Sequence, residues 1–259
     1  PKFIFARTAT VPNATDPTIY SQCCNADPIP FEPRLRSPAS LRGLASAALA
    51  APNCDVQQVD KCLQKVVPYA NRTSLGGTPE EREEECKKER KALKSLRSYG
   101  ETACVKGDAL KSFKLLLAGT AKESALHCQE GTDRYAEYLD FVPCANKAGV
   151  QLNKCMRHAT ADLEAAATTA GGDARLPQTC CAFDSLSTCL ADAVNDKCDQ
   201  SVALYLRGVV QGIAGQFLEK QCGVYKLGSA ECKALPVLTV GEPKYTTVYG
   251  PLLEFIARH

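Results

Sequence analysis

Cysteine is the residue with most chemistry to offer in this chain. Fifteen are present: Cys23, Cys24, Cys54, Cys62, Cys86, Cys104, Cys128, Cys144, Cys155, Cys180, Cys181, Cys189, Cys198, Cys222 and Cys232. A thiolate can ligate a metal, attack an electrophile or pair as a disulfide, and spacing separates these uses. A tetrahedral zinc site draws neighbouring ligands from one turn, typically as C-x2-C, and no such pair occurs. Long gaps broken by two adjacent pairs predict a disulfide framework made in an oxidising compartment. All fifteen are disulfide candidates. The odd total leaves one thiol either as a buried apolar filler or as a bridge to another chain, and spacing does not give the connectivity.

Other chemistry is scarce. Tryptophan is absent, methionine occurs once and histidine three times, as His127, His158 and His259. Nucleophilic catalysis by serine or cysteine wants a positioned base. No histidine here accompanies a G-x-S-x-G elbow, and neither H-E-x-x-H, a P-loop nor a strand-borne G-x-G-x-x-G is found. His127 and His158 read as surface or core-edge residues. Paired carboxylates far apart in sequence can serve a glycosidase, but nothing singles out a pair. The run Cys180-Cys181-Ala182-Phe183-Asp184 resembles the cysteine pair of secreted phospholipase A2. It has aspartate where that family has its histidine, and no glycine-rich calcium loop precedes it. The expectation is a protein without enzymatic activity, metal or cofactor.

A net charge of +2 with no basic stripe argues against a nucleic-acid partner. No run of about 18 apolar residues predicts a membrane span. The start at Pro1, without methionine, fits a mature form whose signal segment has been removed. Asn13-Ala14-Thr15 and Asn71-Arg72-Thr73 are acceptor patterns for N-glycosylation. Together these features place the protein outside the cell.

The elements that would position these residues are mainly helical. Residues 1–37 form a proline-rich arm, holding six of the 15 prolines, and prolines deny it a continuous helix. Within it Lys2–Val11 is β-prone. Residues 38–232 form a cysteine-rich helical core, divisible into sub-bundles at about 38–170 and 173–232. Ser37 and Pro38 open a helix reaching Ala50. Asp55 caps the next, whose Val56, Val59, Leu63, Val66 and Val67 share a face with Cys62. Thr78-Pro79-Glu80-Glu81 forms a capping box. It opens a charged helix with acids first and bases last, stopped by Gly100, whose charges read as a solvated face. Further helices are expected at Ala103–Leu117, Lys122–Gln129 (capped by Thr120 and Glu123), Asp133–Phe141, Ala145–Thr168, Thr179–Val194 and Asp199–Gln221. Gly171-Gly172 reads as a loop and Gly223 as a stop. In the last helix Val202, Leu206, Val209, Val210, Ile213, Phe217 and Leu218 form an apolar stripe. Gly208, Gly212 and Gly215 lie beside it, for close packing of a neighbour or for a ligand groove. The same spacing separates Cys62 from Cys86 and Cys198 from Cys222, a faint sign of duplication. Residues 233–259 form a β-prone tail, with runs Leu235–Val240 and Tyr245–Val248 and a short helical turn at Leu252–Ile256.

The stretch Leu176–Cys232, with Cys180-Cys181, Cys189-Leu190, Cys198 and the apolar helix ending at Cys222-Gly223, resembles cysteine-rich helical proteins secreted by arthropods. The earlier charged, cysteine-spaced helices are similar to the 27 kDa haemolymph glycoprotein type. That resemblance implies an extracellular glycoprotein and supplies no catalytic motif. Two functions follow as expectations. One is a secreted structural protein whose terminal arms engage neighbouring copies in a homo-oligomer or filament. The alternative is a soluble haemolymph-type carrier that holds an apolar small molecule between helices, with helix 199–221 as one wall.

Overall fold

A computed structural model describes residues 54–257 apart from 66, 102, 103 and 169. The proline-rich arm, the Ser37–Ala50 helix, Asn13, Cys23, Cys24 and His259 lie outside the described residues. Nine α-helices run through the described chain: α1 Val56–Leu63, α2 Pro79–Glu101, α3 Gly107–Cys128, α4 Asp133–Ala145, α5 Gly149–Thr168, α6 Gly172–Asn195, α7 Gln200–Gln221, α8 Ala230–Lys233 and α9 Tyr249–Ala257. A 3-10 turn, Asn146–Ala148, joins α4 to α5.

Several helices start where side-chain oxygens satisfy the first free backbone N–H groups. Asp55 Oδ1 accepts from Gln57 N at 2.9 Å, and Asp199 does the same for Ser201 N at α7. At α2 the capping box is reciprocal: Glu81 N donates to Thr78 Oγ1 and Thr78 N to Glu81 Oε2, both at 3.2 Å. Gly223 follows α7 with φ +49, a left-handed conformation that glycine adopts without a Cβ penalty.

Several boundaries differ from expectation, among them the start of α6, seven residues before Thr179, and the end of α4 at Ala145 rather than Phe141; three differences turn on glycine or threonine. Gly100 lies inside the last turn of α2, because a Cβ there would collide with the Phe113 ring; the glycine serves close packing. Thr120 does not cap a second helix, and α3 runs unbroken, since its hydroxyl bonds back to Leu116 O and to the Tyr249 hydroxyl, both at 2.8 Å. Gly171 caps α6, and Gly172 is already helical.

The helices close into a ring. Packing runs α1–α2–α3–α7–α6–α5, and α9 joins α5 back to α1 while also touching α3. The core is continuous from Val59 to Ile256. In α9, seven residues from Tyr249 to Ile256 are buried, as expected of a helix apolar all round. The α3–α7 seam is tight because a Cβ on Gly119 would strike the Ile213 carbonyl and one on Gly212 the Glu123 carboxyl. Those two glycines thus serve close helix packing, the first of the two roles anticipated for such residues.

The extended β-prone C-terminal arm is not observed. Residues 235–248 form no strand, and Val237 is 100% exposed. A strand needs a ladder partner for its N–H and C=O groups. None is present among the described residues, so the apolar end of the chain coils into α9 and docks on its own core.

Six disulfides tie this ring: Cys54–Cys104, Cys86–Cys128, Cys144–Cys198, Cys155–Cys189, Cys180–Cys222 and Cys181–Cys232. The adjacent Cys180 and Cys181 reach different partners because successive helical residues point about 100° apart. Cys62 is buried on the inner side of α1.

Docking of the C-terminal segment is fixed by Asp60 of α1, only 3% exposed. Its carboxylate accepts from Thr246 N at 2.7 Å, Thr247 N at 3.0 Å and Thr247 Oγ1 at 2.6 Å. Burial nonetheless raises its pKa above the ordinary carboxylate value, against the pull of those donors. Replacing Asp60 by Ala orphans buried donors and is expected to cost about 3 kcal/mol. Asp60→Asn, which keeps an acceptor, costs less. Denaturant midpoints, with limited proteolysis near residues 235–248, check both.

Candidate functional site

The ring leaves a cavity of about 190 Å³ at its centre. That exceeds the roughly 150 Å³ at which an apolar cavity in another protein stays dry and takes up benzene. Helix α7 supplies one wall through Leu206, Val209, Val210, Ile213 and Ala214, and α6 another through Phe183, Leu186 and Leu190. Val248, Tyr249 and Leu252 of the docked C-terminal segment close it, with Leu63, Val67 and Leu116 completing the apolar lining. The stripe anticipated on helix 199–221 thus faces the cavity through its middle residues.

One side of the cavity is polar. Arg82, Glu85 and Glu89 come from α2, Glu123, Ser124 and His127 from α3, Tyr138 from α4 and Tyr205 from α7. Arg82 has a side chain 3% exposed. It bonds Glu89 Oε1 at 2.8 Å and Glu85 Oε2 at 3.3 Å, and its guanidinium lies 4.2 Å from the Tyr138 ring centroid. Burial opposes its charge, yet Glu89, Tyr138 and Glu85 outweigh that and hold it ionised. The Tyr138 hydroxyl donates to Glu85 Oε2 at 3.0 Å, Arg72 Nη1 reaches Glu85 Oε1 at 2.5 Å, and Ser124 donates to Glu89 Oε2 at 2.7 Å. The carboxylates of Glu85 and Glu89 are thus hydrogen-bonded at short range, with one exception among the acids of this wall.

The exception is Glu123 Oε2, which is buried without a hydrogen-bond partner. The nearest nitrogens are Arg134 Nε and His127 Nε2, each at 3.5 Å, beyond good hydrogen-bond geometry. Burial raises the Glu123 pKa, with Arg134 working the other way. His127 shares a hydrogen bond of 2.9 Å with the Tyr205 hydroxyl. Burial, with Arg82 and Arg134 nearby, pushes its pKa down to about 3, so the imidazole is neutral at physiological pH. Burial likewise raises the phenols of Tyr138 and Tyr205, and Tyr249 is pushed up to about 12.

The sequence placed His127 and His158 at the surface or core edge. His158 is exposed, whereas His127 is buried and belongs to the cavity wall. The charge run of α2 is a solvated face at Glu83, Glu84 and Lys87 but not at Arg82, Glu85 or Glu89. Their signal was positional: Arg82, Glu85, Cys86 and Glu89 continue the helical stripe of Ala92, Leu96 and Tyr99. Asn71 and Thr73 are both exposed on the loop before α2, as a glycosylation acceptor requires. Asp184, in the Cys180–Cys181 run, accepts from Leu227 N at 2.5 Å. Among the described residues no group of three or more His, Cys, Asp or Glu is placed to hold a metal ion, and no helix is long and apolar enough to cross a membrane. Comparison with protein-family models, curated proteins and solved structures finds no match.

Because the folded pKa of His127 lies below its unfolded value of about 6.5, the unfolded chain binds the extra proton. The contribution of this residue is complete above that value and is lost as pH falls toward 3, by up to about 1.4 kcal/mol per unit. Between pH 6.5 and 5, stability should therefore decline on acidification. His127→Gln, which offers Tyr205 a partner but has no proton to gain, flattens that slope. Urea denaturation across the range measures it.

Proposed function

We propose that this protein is a secreted carrier that holds a compact apolar molecule inside its helical ring. The observation carrying this reading is the central cavity, larger than a packing defect and walled on most sides by aliphatic and aromatic residues. Close-packed interiors rarely leave voids larger than a water molecule, and concave apolar sites between bundled helices are a common place for ligands. The disulfides support export to an oxidising compartment, and the exposed Asn71 sequon agrees with it.

Self-assembly through terminal arms is the weaker reading. Its C-terminal arm is engaged with its own core through Asp60 and α9, so arm exchange would rest on residues 1–37 alone.

The test is direct. Purified, delipidated protein should bind toluene and octane with a negative heat-capacity change in calorimetry, the mark of apolar burial. Ala214→Leu, which adds about three carbons inside the cavity, should abolish binding while the helical circular dichroism is retained. Failure of every small apolar probe to bind removes the carrier reading.

A further inference from the structure

Every fully exposed residue of α2 between Cys86 and Ser98 is a cation: Lys87, Lys88, Arg90, Lys91, Lys94 and Arg97. At 3.6 residues per turn, Lys87, Arg90, Lys91, Lys94 and Arg97 fall in one stripe along the helix, on the order of 15 Å long. The acids of the same turns face elsewhere. Glu85 and Glu89 turn inward, held by Arg72, Arg82, Tyr138 and Ser124. Glu83 and Glu84 face solvent but sit at one end of the stripe, both on Lys87. Interleaved signs hide this stripe in the sequence, and burial of two acids exposes it.

The neighbouring helices add to the field. Both α1 and α3 pack on α2. Helix α1 exposes Lys61 while burying Asp60, and Lys65 is exposed just beyond it. Helix α3 has no acid between Asp108 and the buried Glu123, and it exposes Lys111, Lys114 and Lys122. In a chain with a net charge of only +2, this is segregation of charge. Like charges three and four residues apart on a helix repel, as at Lys87–Lys91, Arg90–Lys94 and Lys94–Arg97. The helix dipole does not account for them, because its pull fades beyond the last turn and the last turn of α2 holds no base. Nor do ion pairs, since among the described residues Lys88, Arg90, Lys94 and Arg97 have none.

An external anion answers this repulsion, and the surroundings restrict its kind. The exposed large apolar residues, Val150, Leu204, Val224, Leu227, Val237 and Val240, all lie outside α1, α2 and α3. The apolar side of α2, with Ala92, Leu96 and Tyr99, is packed in the core. This face therefore has nothing to bury in a bilayer as an interfacial helix does. Tyr99 and Phe113 are buried, so no ring is offered for stacking on nucleic-acid bases. What the face does offer is charge repeated at each turn, which complements a linear polymer with an anionic group on successive units. The disulfide framework argues for an oxidising compartment, where polysaccharides carry such groups as sulfates. We propose that the outer face of α2 binds a sulfated polysaccharide, with Arg90, Lys94 and Arg97 at the centre of the contact. The stripe lies on the side of α2 turned away from Arg82, Glu85 and Glu89, and it stands independently of the cavity.

The full-length protein is titrated calorimetrically with a heparin decasaccharide at several salt concentrations. One variant combines Arg90→Gln, Lys94→Gln and Arg97→Gln. A second removes the same charge outside this face through Lys220→Gln, Lys226→Gln and Lys233→Gln, at exposed lysines in and after the end of α7. Circular dichroism and thermal melts establish that both are folded. The wild type is expected to bind at about 0.15 M salt, with affinity that falls as salt rises because counterions are released. The α2 variant should weaken about tenfold, with a shallower dependence on salt, while the second variant stays within about twofold. Equal weakening of the two variants would show attraction to net charge alone and overturn the proposal. Tighter binding of phosphatidylserine vesicles or of a DNA duplex at the same salt would assign the face to another class of partner and overturn it as well. So would failure of the wild type to bind heparin. Toluene uptake by the cavity is read separately on the same proteins, so none of these outcomes touches the carrier reading.

Discussion

A buried carboxylate on a short helix governs this fold. Helix α1 spans only Val56–Leu63, too short to be stable alone, yet its Asp60 receives both backbone amides and the hydroxyl that precede α9. Without those donors the carboxylate would be an uncompensated buried acceptor, and without the carboxylate the last segment would bring unpaired amides into the core. Each makes the other tolerable. Once held, α9 buries Tyr249, Leu252, Leu253 and Ile256 and packs against α1, α3 and α5.

The same docking explains why the cavity has a polar side. Tyr249 fills space between α3 and the cavity, and its hydroxyl needs a partner, which Thr120 provides. Beside it α2 and α3 are drawn together by Cys86–Cys128, bringing the polar ends of Arg82, Glu89, Glu123 and Ser124 toward the cavity. Arg82 is tolerated there because two carboxylates and an aromatic face surround it. Removing one member would leave the others as uncompensated charges, which makes the cluster a rigid wall and not an adaptable one.

How much of this was legible in the sequence depends on what carried the signal. Caps and stops are local, so Asp55, Thr78, Asp199 and Gly223 marked helix ends correctly, and cysteine spacing marked the disulfide class. Gly100 and Gly119 were not legible, because their reason is a ring or a carbonyl arriving from a distant element. The tail was misread for a related cause: β-branched residues at Leu235–Val240 favour a strand only if another strand is there to pair with, and pairing is not a local property. The cavity wall was hidden by charge. A hydrophobic pattern is blind to Arg82, Glu85 and Glu123, which occupy inward positions of their helices while carrying the residue types of a solvated face. The α7 stripe, by contrast, was visible as apolar residues at helical spacing, and only its dual use, packing on one flank and cavity lining on the other, needed coordinates.

A void of this size has an energetic consequence that bears on why the chain is so rich in cysteine. An apolar cavity of about 190 Å³ forgoes packing contacts that a filled core would make. A chain of this length can bury enough apolar surface to fold without cross-links, so size alone gives no reason for six. Their loops close over 34 to 54 residues, and in the chain-entropy model each such bridge contributes about 4 kcal/mol by restricting the unfolded chain. Cys180–Cys222 anchors the end of α7 to α6, Cys144–Cys198 ties α4 to the connection between α6 and α7, and Cys155–Cys189 joins α6 to α5. Helices α5, α6 and α7, and α2 with α3, are thus held covalently to one another. Cross-linking the shell lets the interior stay incompletely packed without collapse.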